Sequence, residues 1–355
     1  LFAILNLVLR QTNLVIFEFD NTLQSFFMTV FFTSIGFNAS WRLLKVGGRK
    51  VVMFLLMAII LVVLQNIVAV GYATGIDPLI ALLTGSTAMT GGHGTAAAMA
   101  PIVEELGHTG AKSVAIAAAT FGLIAGSSLG GPLANRLING KKLKVVAEEV
   151  ENEKVHNDEF LFNNDVKKLD GENFAKAFFL ILLSMFIGSY VSTFLNHFLN
   201  FPNYIGPMIV AAILRNITDH TSKFDLHYEE IHILEDVSLN LFLGMAMISL
   251  KLWELSSVAG QLAALLLAQA VLAWVFIYFV TFRVMGGNYD AAVLSAGHVG
   301  FGLGATPNGI ANMQSVCDKY KHSHIAFFVM PIVGALFIDF FNVAIISGFF
   351  SFLSR

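Results

Sequence analysis

Two glycine-dense tracts interrupt apolar sequence at residues 90–95 and 300–307, one in each half of the chain. Glycine and proline at this density cannot continue a helix cheaply. Non-helical backbone within a membrane is tolerated only where protein or a water-filled cavity surrounds it. A matched pair of such breaks in the two halves of a chain indicates the binding site of a transporter. We therefore expect this protein to move a small solute across a membrane.

The composition also indicates a membrane protein. Of the 355 residues, 56% are hydrophobic and only 13% are charged, whereas a soluble domain carries about 25% charged residues. The net charge of −3 points to no particular partner, and we expect no nucleic-acid binding. The single cysteine, Cys317, excludes a disulfide or a thiolate metal cluster within these residues.

Long apolar stretches predict helices that cross about 30 Å of hydrocarbon. Residues 1–9 are interpreted as part of one further span. Two broken apolar stretches, 79–106 and 291–316, contain the glycine tracts, and each is interpreted as a re-entrant hairpin. The predicted spans are 20–40, 50–74, 113–138, 174–199, 202–218, 233–252, 258–285 and 324–352.

The two halves of the chain align at a numbering offset of 213, which drifts to 210–212 within the hairpins. This pattern predicts an all-α membrane protein of two inverted-topology repeats, each with about five transmembrane helices and a re-entrant hairpin. The N-terminal repeat takes residues 1–138, a linker takes 139–172, and the C-terminal repeat takes 173–355. The same offset places the start of the first repeat before Leu1, so we expect that repeat to be N-terminally truncated. The matched pairs are Ile35 with Ile248, Gly47 with Gly260, and Asp77 with Asp290.

Basic residues orient the predicted spans. If the linker is cytoplasmic, seventeen of the 21 Lys and Arg residues lie on its side of the membrane. This bias brings the first hairpin in from outside and the second in from the cytoplasm, so that their tips meet near the midplane. The four exceptions are Arg10, Lys112, Lys251 and Arg355.

Every Lys and Arg lies near a predicted membrane face, so an anionic solute would be held by hydroxyls and by helix N-termini. An N-terminus carries about half a positive charge. The alternative is that the small residues of the tracts only allow close helix packing. Gln65 and Asn66, inside a predicted span, would either line the pathway or bridge helices. The available polar groups are Ser86, Thr87, Thr90, Thr95, Thr306, Asn308 and Asn312.

Five ionisable residues lie within or beside the apolar stretches. Asp339 is costly inside a membrane, which suggests a function: it would meet a substrate ammonium or Na⁺, with a structural hydrogen bond as the alternative. Asp77 and Asp290 each precede a hairpin, where they either cap a helix or act in function. His93 and His298 lack metal-ligand spacing and are interpreted as hydrogen-bond partners, with a role as a ligand or proton relay as the alternative.

Several motifs resemble those of the bacterial sodium/glutamate symporter family. The resemblance covers about residues 30–138 and 235–350. The motifs are GS at 85–86, TGGHGT at 90–95, ATFGL at 119–123, GGP at 130–132, LKLWEL at 250–255, NYDAAVL at 288–294, AGH at 296–298, GFGLGATP at 300–307, IANM at 310–313, VGA at 333–335 and FID at 337–339.

The resemblance implies a multi-pass carrier of the bacterial inner membrane that couples L-glutamate uptake to Na⁺, without a cofactor. It also implies inverted five-span domains, a homodimer and an elevator-like movement. The glutamate specificity comes from the resemblance alone. On this reading, the substrate-binding residues are Thr90, Gly91, Gly92, His93, Gly94, Thr95, Gly302, Gly304, Ala305, Thr306, Pro307, Asn308 and Asp339. The sodium-binding residues are Ser86, Thr87, Asn312 and Asp339.

Other functions remain open from the residues. Within the carriers, a Na⁺-coupled symporter of another carboxylate or a Na⁺/H⁺ antiporter fits the same features. A channel would use the glycine hairpins as a filter. An intramembrane enzyme needs a nucleophile–base or metal constellation, which His93, His298 and Cys317 do not make, so we expect no enzyme.

Overall fold

The computed structural model describes residues 22–72, 75–145, 170–197, 201–221, 226–248 and 259–354, and these ranges contain helices but no β-strand. The helices are α1 Thr22–Asn38, α2 Trp41–Val46, α3 Gly48–Gly71, α4 Pro78–Leu82, α5 Gly92–Glu105, α6 Ala111–Gly140, α7 Gly171–Leu195, α8 Ile205–Thr221, α9 Tyr228–Ile248, α10 Ala259–Val284, α11 Tyr289–Leu303, α12 Thr306–Lys319 and α13 His324–Leu353.

Five of these helices are long and apolar enough to cross a membrane, judged by length and composition: α3, α6, α7, α10 and α13. Helices α1 and α8, of 17 residues each, also lie where spans are predicted. So does α9, which begins with an acidic first turn. The predicted class, an all-helical membrane protein, is confirmed. The partial span 1–9 and most of the linker lie outside the described residues.

The helix bounds repeat along the chain. When the bounds of α6, 111–140, are raised by the offset of 213, they become 324–353, which are the bounds of α13. The same shift takes α3 from 48–71 to 261–284, and α10 runs from 259 to 284. The offset found from individual residues therefore also relates whole helices.

Helix starts follow local capping chemistry. The Asp77 carboxylate accepts the backbone N–H of Leu79 at 2.9 Å, with a proline following it in the first turn. Asn288 caps α11 in the same way, through the N–H of Ala291 at 2.9 Å. Of the two roles left open for Asp77, helix capping is present.

The helices form two groups. Helices α1, α7, α8 and α9 pack against one another and are called the four-helix group here. Helices α3 to α6 and α10 to α13 pack around the glycine tracts and are called the site bundle. The two groups meet where α9 contacts α5 and where α1 contacts α13. Phe32, stacked on Tyr204 at 4.2 Å between ring centroids, is one of the buried aromatic side chains of the core.

Candidate functional site

The first break separates α4 from α5. Helix α4 ends at Leu82, and residues 83–91 form turns before α5 begins at Gly92. The N–H of Gly91 donates to the carbonyl of Ser86 at 2.8 Å, which closes a wide turn just before α5. Gly92 has a φ of +57°, a conformation that costs little only for glycine. The tract thus breaks the helix as the sequence predicts.

The second break is shorter. Helix α11 ends at Leu303, and after two residues α12 begins at Thr306 with a proline in its first turn. The two helices run antiparallel. Asn312 Nδ2 donates to the carbonyl of Ala296 at 3.3 Å, and nearer the turn the backbone of Gly309 lies so close to Gly300 that a Cβ there would collide. The close approach explains these two glycines.

The two breaks meet each other. Gln65 of α3 donates through Nε2 to the carbonyl of Gly302 at 2.7 Å. The hydroxyl of Thr90 lies 2.9 Å from Gln65 Oε1 and 3.2 Å from the same Gly302 carbonyl. A Cβ on Gly92 would lie 3.0 Å from the carbonyl oxygen of Gly304. Tracts from opposite halves of the sequence therefore share one site.

The two ends of each broken segment are also joined. Asp77, before the first break, contacts His108 after it, at 3.2 Å from Oδ2 to Nδ1. At the equivalent position of the second half, Asp290 accepts a hydrogen bond from Ser323 Oγ at 2.5 Å. The two ends of each segment are therefore in contact.

Helix α6 lies beside the second break and contacts it through backbone carbonyls. Asn308 donates to the carbonyl of Leu123 at 3.1 Å, and Asn312 donates to the carbonyl of Gly126 at 2.9 Å. At the first break, the ring of His93 lies 3.0 Å from the hydroxyl of Thr120 on the same helix. His93 is therefore a hydrogen-bond partner, as interpreted from the sequence.

Helix α13 connects the two breaks. Residues Ile332–Phe337 are π-helical after Pro331, and such segments are frequent at functional sites. The hydroxyl of Thr306 donates to the carbonyl of Gly334 at 2.5 Å, and Asn342 Nδ2 donates to the carbonyl of Ser86 at 3.2 Å. Asp339, half-buried, lies between these contacts, five residues after Gly334 and three before Asn342.

Polar groups collect around the first break. Ser86 is bonded to Asn66 through its backbone N–H at 3.0 Å and through its hydroxyl. The buried Thr87 hydroxyl and Asn342 Oδ1 have no hydrogen-bond partner within the described residues. Buried oxygen atoms are normally satisfied, and hard oxygen donors suit a hard cation. The residue types here fit a Na⁺ ion.

The remaining candidates have different surroundings. Gly94 packs away from the second tract, because a Cβ there would contact Leu239 of the four-helix group at 3.2 Å. Thr95 is buried one turn into α5. Ala305 precedes α12, and Pro307 lies in the first turn of that helix. These positions shape the site by packing and helix geometry.

Four amide side chains contribute to the site in addition to the residues predicted to bind substrate or Na⁺. The sequence does not decide whether Gln65 and Asn66 line the pathway or bridge helices. In the structure, both side chains hydrogen-bond to residues of the breaks. Gln269 Nε2 supports Gln65 by donating to its carbonyl at 2.8 Å. Asn342 contributes through its Nδ2, which donates to the carbonyl of Ser86. The sequence signal for these residues is an amide inside an apolar span, because polar side chains are rare in membrane helices and often functional.

The charges at the site are few. Within the described ranges, no Lys or Arg hydrogen-bonds to the polar groups of the two breaks, and no cluster of three His, Cys, Asp or Glu residues forms a metal site. Two helix N-termini, at Gly92 and Thr306, open where the breaks meet. They supply partial positive charge there without a cationic side chain.

These features define a multi-pass helical membrane protein with two interrupted helical segments that meet in its interior. That combination is typical of secondary transporters, which bind their substrates at such breaks.

Comparison with known proteins agrees with the class of secondary transporters. The sodium/glutamate symporter family matches residues 1–322. The chain is 40% identical over 341 residues to the sodium/glutamate symporter of Haemophilus influenzae, covering 94% of this chain and 84% of the relative. It is 39% identical over 350 residues to that of Escherichia coli, covering 98% and 86%. The chain belongs to the sodium/glutamate symporter family, which confirms the resemblance drawn from its motifs.

Proposed function

We propose that this protein couples Na⁺ entry to the uptake of L-glutamate across the bacterial inner membrane by alternating access. Family membership supports this proposal, and the two relatives compared above are both named sodium/glutamate symporters. A Na⁺-coupled symporter of a related carboxylate is the second candidate, because the site chemistry recognises carboxylates and Na⁺ without choosing among acids.

One observation carries the proposal: the two broken segments meet at Thr90 and Gly302. The N-termini of α5 and α12 open there, with no basic side chain bonded to the site in the described ranges. Backbone N–H groups at helix N-termini bind carboxylates without cationic side chains. A dicarboxylic amino acid fits two such N-termini, one for each carboxylate.

The substrate would lie between the tracts at 90–95 and 302–308. We assign the carboxylates to the N–H groups that begin α5 and α12, with the hydroxyls of Thr90 and Thr306 beside them. His93 and Asn308 define one wall, since both bond to α6. Gly94 and Thr95 act by packing the first tract in place.

Asp339 would neutralise the substrate ammonium or a Na⁺ ion. It lies between the contacts that α13 makes with the two breaks, at Gly334 and Asn342. Along a helix, the five residues from Gly334 to Asp339 rise about 8 Å, and the three from Asp339 to Asn342 rise about 5 Å. An intramembrane carboxylate is retained when it serves such a partner.

The Na⁺ ion would be coordinated by oxygens of Ser86, Thr87 and Asn342, with Asp339 nearby. The unpartnered Thr87 hydroxyl and Asn342 Oδ1 support this assignment, each lacking a hydrogen bond among the described residues. Asn312 fits less directly, because its Nδ2 is engaged with two backbone carbonyls and only its Oδ1 is available as a ligand.

The two halves would be inverted repeats with re-entrant hairpins. The matching bounds of α6 and α13 support the duplication. The joined ends of the segments, Asp77 with His108 and Asp290 with Ser323, support hairpins that return to the face they entered. The Lys and Arg bias supports opposite entry sides, with the linker in the cytoplasm.

Alternating access would move the site bundle against the four-helix group. All residues assigned to the substrate and to Na⁺ belong to the site bundle. The contacts between the groups are confined mainly to α5 with α9 and α1 with α13. A bundle that carries its whole site moves as one body without breaking that site.

A homodimer would form through the four-helix group. Helix α7 carries a stripe of exposed apolar side chains at spacings of three and four residues, which lie on one helical face. Aromatic side chains are enriched in protein interfaces. The stripe consists of Phe179, Leu183, Phe186, Tyr190 and Phe194. Crosslinking of single cysteines along it tests this pairing.

Uptake into proteoliposomes tests the function. We expect accumulation of labelled L-glutamate under an inward Na⁺ gradient, its loss when K⁺ replaces Na⁺, and competition by unlabelled glutamate. Aspartate and citrate serve as competitors that separate glutamate from the wider class of carboxylates. Uptake that persists without a Na⁺ gradient contradicts the coupling, and single-channel currents would identify a channel instead.

A further inference from the structure

A groove of about 500 Å³ lies on the surface of α3 and α10. Its lining is entirely aliphatic and aromatic, and includes Val68 of α3 with Ala268, Val271, Val275 and Phe279 of α10. Val271 is 62% exposed and Phe279 is 45% exposed. In a membrane these side chains face lipid, so the apolar group available to fill the groove is a lipid acyl chain.

The length of the groove suits one leaflet. Ala268 and Val280 both line it, and twelve residues of helix rise about 18 Å. Half of a hydrocarbon core of about 30 Å is about 15 Å. The π-helical segment Ile277–Thr281 lies at the end of the groove nearest the C-terminus of α10, where it widens the helical turn. An acyl chain entering from that end would therefore fill the groove within its own leaflet.

Positive charge collects at that end. The Arg283 guanidinium lies 5.7 Å from the ring centroid of Phe279, which itself lines the groove. Lys141, which follows the last residue of α6, lies 5.4 Å from the ring of the nearby Phe282. Neither Arg283 nor Lys141 forms an ion pair with any residue in the described part of the chain.

A third cation lies beside α10, against an aromatic pair that does not line the groove. Arg136 of α6 lies 5.6 Å from the ring of Trp274, which stacks on Tyr278 at 5.0 Å. Arg136 also has no acidic partner among the residues that the structure describes. Aromatic rings beside basic side chains are typical of the membrane–water interface. Basic pockets between helices bind anionic lipid head groups.

We propose that this groove binds one acyl chain of an anionic phospholipid, whose phosphate contacts Arg283, while Lys141 adds positive charge near the head group. The apolar groove binds the lipid tail, and the basic side chains favour a lipid whose head group is negatively charged. The site is separate from the glycine tracts, so its test does not depend on the transported substrate.

Lipid binding to the purified full chain tests the charge selection. Native mass spectrometry would follow titrations with phosphatidylglycerol and phosphatidylcholine of identical acyl chains. We expect tighter binding of phosphatidylglycerol, and a loss of about fivefold in that affinity for Arg283→Gln, from the typical contribution of one basic residue near a lipid surface. Arg42→Gln, an exposed arginine of α2, is the matched control and leaves both affinities unchanged.

Filling the groove tests the tail. Val275→Trp, at a 44% exposed lining position, would weaken the binding of both lipids. Leu267→Trp, at a 60% exposed position outside the groove, would not. Equal binding of the two lipids by the wild type, or unchanged phosphatidylglycerol binding in Arg283→Gln, would overturn the proposal. Loss in Leu267→Trp equal to that in Val275→Trp would also overturn it.

Discussion

Replacing Gly92 with alanine should destabilise the protein at the point where the two tracts meet. The residue has a φ of +57°, and a side chain in this conformation costs about 1–2 kcal/mol. The new Cβ would also lie 3.0 Å from the carbonyl oxygen of Gly304, so the second tract must shift by a few tenths of an ångström. Strain and displacement together predict a loss of about 1–3 kcal/mol and reduced glutamate uptake.

Thermal unfolding in detergent and initial uptake rates in proteoliposomes measure the two effects. Gly348→Ala is the matched control, because no atom lies within 4 Å of its new Cβ in the α13 helix. Alanine is favoured over glycine in a helix by about 1 kcal/mol, so this variant should unfold at or above the wild-type temperature. If Gly92→Ala unfolds and transports like the wild type, the assigned backbone geometry and the meeting of the tracts are wrong.

Three further predictions each replace one residue of the broken segments or of the helices that hold them. Gln65→Leu removes the 2.7 Å donor to the buried Gly302 carbonyl, which keeps only the Thr90 hydroxyl at 3.2 Å, and should lower stability by about 1 kcal/mol, seen in thermal unfolding. Asp339→Asn should abolish Na⁺-dependent uptake while the protein still folds; unchanged Na⁺ dependence would remove Asp339 from the site. Ser323→Ala removes a hydrogen bond to the buried Asp290 and should lower the unfolding temperature, whereas Ser323→Thr should restore it.

The sequence predicted the helices well, because long apolar stretches have few alternatives in a membrane. The predicted spans 113–138 and 324–352 differ by at most two residues per end from α6 and α13. The breaks were equally visible, since glycine and proline act on the local backbone. New helices begin at Gly92 and Thr306, and both positions lie inside the tracts where the sequence predicts a break.

The partners of the site were not predictable in the same way. Gln65 bonds to Gly302 across 237 residues and Asn342 bonds to Ser86 across 256. Such contacts depend on how each helix is rotated about its axis. Helix α3 gives little indication of its rotation, because both its buried Leu55 and its exposed Leu56 are leucines.

The apolar spans and their two interruptions follow from the sequence alone, because each depends on local composition or spacing, and the inverted repeat stays a prediction. The tertiary structure decided that Thr90 and Gly302 meet, that Asp77 and Asp290 join the ends of their segments, and that Asn342 contacts the first break. In a helix that is apolar on every side, hydrophobicity does not distinguish the face toward lipid from the face toward protein. Close packing and the need to satisfy buried polar groups make that choice.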